Sequence, residues 1–200
     1  MSNSPVEVKI TGADPSALGI FGLAMVTLVA STQKLGITTG LSFVIPWAII
    51  LGGIAQLIAC VQDYKLKNLF GATAFGAYGL FWLAVAFSWM IKMGVFGAEL
   101  AANTDGKQIG VAFIGYLIFS IYMTVAAMNT NKALFLILFL INILFLTLAL
   151  DSFGFGAIWQ RIAGVVELAI SLAGFYAAAA SSLNNQYGHV ILPVGKKIWS

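Results

Sequence analysis

From residue 16 onward, long apolar blocks alternate with short polar stretches. The blocks cover 16–32, 41–61, 69–91, 109–128, 133–150 and 157–180. Each is apolar around its whole circumference, not along one stripe as in a surface helix. Each also approaches the ~20 residues that a helix rising about 1.5 Å per residue needs to cross roughly 30 Å of hydrocarbon. The pattern therefore predicts an all-α integral membrane protein with six transmembrane helices per protomer. A membrane barrel would show short segments alternating apolar and polar, and these blocks do not alternate. The separators at 33–40, 62–68, 92–108, 129–132 and 151–156 are polar or contain Gly, and none is long enough for a further domain. Gly154 and Gly156 lack the preceding strand and following Lys-Ser/Thr of a nucleotide loop and read as a turn. The chain divides into an N-terminal segment 1–15, a six-helix domain 16–183 and a tail 184–200.

Composition narrows the function classes. Of 200 residues, 60% are hydrophobic and 8% charged, where a soluble domain carries about 25% charged residues. The lipid bilayer is the expected surroundings. One Cys (Cys60) and one His (His189) are too few for a disulfide framework or a Cys/His metal cage, so no metal or other cofactor is called for. Cys60 reads as a small buried apolar residue and His189 as an exposed side chain after the last helix. The lysines are scattered between apolar blocks and form no phosphate-neutralising stripe, which argues against a nucleic-acid partner. Residues 1–15 are polar and lack the apolar core of a cleavable leader, so this segment is expected to remain in the mature protein.

Short-loop basic residues set the expected orientation. Lys9, Lys65, Lys67, Lys132, Lys196 and Lys197 fall on one side, and Lys34, Lys92 and Lys107 on the other, with Arg161 at the start of the sixth block. Both termini are expected in the cytoplasm.

Polar side chains inside the blocks are the candidate chemistry, because an amide or charge in hydrocarbon is costly unless it faces a cavity or a partner. Gln56, Thr73, Tyr78, Asn142, Arg161 and Glu167 meet that description. Two readings stand for Gln56 and Asn142: a pathway wall, or hydrogen bonds across a helix interface. Tyr78 and Trp82 share a helix face at mid-segment, away from where an aromatic belt would lie, and are expected to line a pathway. Arg161 and Glu167 are six residues apart, not the three or four of a helical ion pair, so they are not expected to pair. Glu167 is expected at a solvated mouth or in an intersubunit hydrogen bond. Small residues at four-residue spacing, such as Ala72 with Gly76 and Ala169 with Ala173 and Ala177, predict close packing seams. No His lies in the blocks and no two carboxylates share one, so no enzyme site assembles.

Several motifs resemble one family. Asp14-Pro15-Ser16-Ala17-Leu18-Gly19 is similar to the Asn-Pro-Ala-Pro-Leu-Gly that opens the first helix of acetate uptake transporters, with Asp for Asn and Ala for the second Pro. Gly52-Gly53-Ile54-Ala55-Gln56, the run from Thr73 to Trp82, and the tail Leu183-Asn184-Asn185-Gln186-Tyr187-Gly188 with Leu192-Pro193-Val194-Gly195 resemble the bacterial succinate/acetate permeases, which share the family with yeast ammonia and acetate exporters. Pro15 suits a helix start because its missing N–H would be unsatisfied there anyway, and Asp14 is placed to cap that end.

The resemblance implies a pore in each protomer with an apolar and aromatic constriction, corresponding here to Leu23, Tyr78 and Ile141. It also implies a homo-oligomer, a ring of six, in a prokaryotic cytoplasmic membrane. The implied cargo is acetate or another small monocarboxylate, with succinate possible, carried by an anion channel or a proton-coupled symporter. Gln56, Thr73, Trp82 and Asn142 are the expected binding or pore-lining residues. Amide and hydroxyl donors suit a carboxylate without fixing it by a full positive charge. The alternative is a channel for urea or another small neutral amide.

Overall fold

The computed structural model describes residues 12–199, and among them it is helical with no strand. Lys9 and most of the expected N-terminal segment lie outside the described residues. Six helices are long and apolar enough to span a bilayer: α1 Ser16–Lys34, α2 Val44–Lys65, α3 Leu69–Lys92, α4 Gly106–Ala127, α5 Lys132–Ser152 and α6 Ile158–Tyr187. Large apolar side chains such as Val111, Ile118, Leu146, Val165 and Leu172 point outward, the arrangement expected of a surface in lipid. The chain is a multi-pass membrane protein.

Helix starts follow local chemistry. The Asp14 carboxylate accepts the Ser16 N–H at 2.9 Å, as expected for a cap, and the Pro15 carbonyl takes the first helical bonds. Asn68, Asp105 and Asn131 likewise accept N–H groups of the first turns of α3, α4 and α5. Two blocks extend further than their apolar runs. α2 continues to Lys65, taking Gln62 and Asp63 into the helix, and α6 runs through Asn184 to Tyr187, ending at Gly188 with φ 69° in the left-handed conformation that closes helices. Between α3 and α4 a single short turn, Ala98–Ala102, interrupts the connection.

The helices pack as a closed ring in chain order: each touches its sequence neighbours, and α6 closes on α1. Successive helices are antiparallel, so both described ends of the chain lie at one end of the bundle, here called the terminal end. Spacing around the ring is set by side-chain size. At Gly22 the α1 backbone meets the carbonyl of Leu51 with no room for a Cβ, and at Gly79 against the Gly53 carbonyl and Gly174 against Ala24 a Cβ would fit only tightly. The α3–α4 junction is the loosest, and aromatic rings bridge it: Phe81 contacts Tyr116 at 4.9 Å and Tyr78 contacts Phe119 at 5.4 Å between centroids. Buried hydroxyls satisfy themselves on nearby carbonyls, as Thr27 does on Leu23 and Thr124 on Ser120. Ser171 instead reaches from α6 to the Ala24 carbonyl of α1 at 2.8 Å.

Glu167 corrects the expectation of a solvated mouth or an intersubunit bond. It is 1% exposed and accepts from the Lys34 ammonium at 2.8 Å within the same protomer. Gly164, one turn earlier, lets the end of α1 come against α6, so that Lys34 reaches the carboxylate. Arg161 is exposed and takes no part, as its spacing predicts. Breaking a buried ion pair from one side leaves an uncompensated charge and typically costs about 3–5 kcal/mol, while replacing both partners by apolar residues is often neutral. Lys34→Ala is therefore expected to lower the thermal midpoint in detergent markedly, and Lys34→Met with Glu167→Leu to recover most of it, as followed by size-exclusion survival after heating.

Candidate functional site

A cavity of about 190 Å³ occupies the terminal half of the ring. A single water needs about 10–15 Å³ by the same kind of measure, so this is no one-water void. Its wall comes from α1, α2, α3 and α5 and contains no charged side chain. On α1 the lining positions are Ser16, Ile20 and Leu23, on α3 Phe70 to Tyr78, and on α5 Leu134 to Ile141. These recur every three or four residues, one face of each helix. Leu23, Tyr78 and Ile141 are the innermost members of their three stripes, so the trio expected to form the constriction converges at the deep end of the cavity.

Each member is held there by packing. Leu23 and Ile141 are 9% and 3% exposed. Tyr78 is 4% exposed, stands edge-on to Phe119 and shares a hydrogen bond of 2.8 Å with Ser120 of α4. The motif glycine Gly19 carries the Phe75 ring directly against its Cα, and that ring forms part of the cavity wall. Leu18 of the same motif is exposed on the outer surface.

Gln56 also lines the cavity and is 1% exposed. It follows a segment of π-helix, Ala48–Ala55, which the apolar pattern of α2 does not reveal. Such segments are rare and frequent near functional sites, because they redirect side chains and shift the carbonyl ladder. The Gln56 Nε2 donates to the Gly52 carbonyl at 2.8 Å.

Three expected pathway residues lie elsewhere. Thr73 sits beside the α3 stripe, about 100° around the helix from Ala74, and is half-buried off the cavity. Trp82 continues the face of Tyr78 one turn deeper, beyond the cavity, where its ring is seated on Gly52 and approaches Trp89 at 6.5 Å. Asn142, turned away from the face of Ile141, donates to the Thr124 hydroxyl at 2.9 Å, the helix-interface reading. Polar lining that the apolar blocks concealed comes from Asn68 and Thr130, both in separators. Thr130 shares its connector with the seat of the C-terminal tail, where Ala133 N–H donates to the Val194 carbonyl and Trp199 N–H to that of Met128. Asn184 holds the same tail by accepting from Ile191 and Leu192 and donating back to Leu192. That network accounts physically for the tail motif.

Ser120 is a partner that no spacing could indicate, since it meets Tyr78 only across the α3–α4 junction. Ser120→Ala leaves a buried phenol unpaired, which costs about 1–3 kcal/mol. Tyr78→Phe removes that group, so the double variant is expected to be more stable than the sum of the single losses, as thermal unfolding of all four proteins would show.

The GPR1/FUN34/yaaH family matches residues 3–196. The succinate-acetate/proton symporter SatP of Escherichia coli (strain K12) is 31% identical over 185 residues, covering 92% of this chain and 96% of that protein. Acetate permease A of Emericella nidulans is 28% identical, covering 94% of this chain and 67% of that protein. Among solved structures, that of the bacterial acetate channel SatP superposes with a TM-score of 0.86 at 29% identity, covering 92% of this chain and all of that one. The relatives named for an activity are transporters or channels and not enzymes. With a match over nearly its whole length and six membrane-spanning helices in the same arrangement, the chain belongs to the GPR1/FUN34/yaaH family.

Proposed function

We propose that this protein passes acetate or a similar small monocarboxylate, and the dicarboxylate succinate as well, across a prokaryotic cytoplasmic membrane through a conduit within each protomer. The observation that carries the reading is the uncharged cavity whose three helix stripes end at Leu23, Tyr78 and Ile141. A carboxylic acid with a pKa near 4.3 is almost entirely anionic at neutral pH, so the cargo needs donors. Gln56, Asn68 and the Ser16 hydroxyl are the neutral donors on the wall, while the apolar remainder accepts a methyl group. Weak neutral donors before a narrow apolar neck allow entry and release, where a fixed ammonium in low dielectric would trap the anion.

Five described lysines mark the terminal end, Lys65, Lys67, Lys132, Lys196 and Lys197. At the far end lie Lys34, already paired with Glu167, with Lys92, Lys107 and Arg161. This balance supports cytoplasmic termini and a cavity facing the cytoplasm. The apolar outward faces suit assembly as a homo-oligomer, a hexamer in this reading, for native mass spectrometry to count.

Proteoliposomes loaded with the purified protein are expected to take up labelled acetate above protein-free controls and to exclude urea; uptake of urea instead would make this an amide channel. Tyr78→Ala is expected to relax size selection toward larger acids, and Tyr78→Phe to retain it. Gln56→Leu should lower acetate flux several-fold with the oligomer intact, and Gln56→Glu should lower it further, since a carboxylate there repels the anion. Unchanged flux per folded protein with reduced stability would return Gln56 to a purely structural role.

A further inference from the structure

The spanning helices contain three carboxylates, Asp63, Asp151 and Glu167, in different surroundings. Glu167 is neutralised by Lys34. Asp151 is only half-buried near the far end of α5. Asp63 is sealed from solvent at 0% exposure, and among the described residues no cation lies within ion-pair distance of it. Its Oδ1 accepts from the Asn68 side-chain amide at 2.9 Å, and its Oδ2 has no partner. That free oxygen is packed on Gly71, where a Cβ would overlap it. Asn68 and Gly71 both line the cavity, so Asp63 lies directly behind the wall at its terminal end, two residues before α2 ends. The neighbouring ionisable groups are Cys60 on its own helix and Asp14 at the head of α1, neither a cation at neutral pH. Lys65 and Lys67 follow in the chain but are exposed.

We propose that Asp63 is a proton-binding site at the cytoplasmic end of the cavity, and that a carboxylate passes readily only while Asp63 is neutral. The inference rests on the transport reading above. An ionised Asp63 presents a negative charge, without a counter-ion, behind the entrance that an anion must use, and like charges at close range in a poorly screened site repel strongly. Protonation of Oδ2 from water removes that charge while Oδ1 keeps its bond to Asn68. Loss of the same proton restores the barrier. No other bond forms or breaks.

Labelled acetate exchange at equal internal and external pH, corrected with protein-free liposomes, tests this between pH 8 and pH 5.5, where the anion stays the main species outside. The wild type is expected to speed up as pH falls, by at most about tenfold per pH unit for a single proton. Asp63→Asn keeps the shape and an acceptor for Asn68, and Asp63→Ser offers a second neutral side chain; both should exchange acetate with little pH dependence. Asp63→Glu, which restores a carboxyl, should restore it. If Asp63 only braces the start of α3, the neutral variants will change melting temperature and maximal rate but keep the wild-type pH profile, which overturns the proposal. A pH-independent wild type overturns it as well. A wild type with no protein-dependent exchange overturns the transport reading instead.

Discussion

The close approach of α1, α2 and α3 governs the rest of this molecule. In hydrocarbon no hydrophobic effect pulls one helix onto another, so association depends on van der Waals contact and on polar bonds between helices. Gly22 against the Leu51 carbonyl and Gly79 against that of Gly53 allow contact at backbone distance. Gly52 does so in another way, by accepting the Trp82 ring. With these three helices drawn together, their inner faces present Leu23, Gln56 and Tyr78 to one space. A Cβ at any of the three glycines would press against a backbone or an indole, and the geometry at the cavity's deep end would shift with it.

Across the ring the opposite principle operates. The α3–α4 junction has few close backbone contacts and is filled by Tyr78, Phe81, Tyr116, Phe119 and Phe145, rings too large to let the helices meet. Aromatic pairs gain from edge-on contact beyond the area they bury, so this junction is spaced without being weak. The ring is thus closely packed at every junction but this one, which is propped open by rings.

Polar groups in the bundle are largely committed to partners within the protein, Gln56 to the Gly52 carbonyl and Asn68 to Asp63 among them. The hydroxyls of Thr27, Thr124 and Thr147 are bonded to carbonyls of their own helices. Ser171 and the Lys34–Glu167 pair fasten α1 to α6. Asn142 binds Thr124 and Tyr78 binds Ser120, both between helices. In a solvent that offers no hydrogen bonds, such commitments are the rule, and this is why a polar residue in an apolar block is weak evidence for a pathway by itself. What distinguishes Gln56 and Asn68 from Asn142 is position on the cavity wall.

By itself the sequence determined the six spans, their antiparallel order and the Asp14–Pro15 helix start, because these depend on local length, apolarity and backbone chemistry. The family resemblance, carried by a motif only at Tyr78, also pointed to Leu23, Tyr78 and Ile141, which line one cavity. Only the tertiary structure decided the partners. Lys34 meets Glu167 across 133 residues, and Tyr78 meets Ser120 across 42. Asp63, read as part of a polar connector, became a sealed carboxylate once α2 continued to Lys65. Trp82 and Thr73 share a motif with Tyr78 but not the cavity, since one turn of depth or 100° of rotation removes a side chain from a wall. Such contacts depend on how far one helix is rotated and shifted against another, and an apolar block that is uniform around its circumference carries no mark of that rotation.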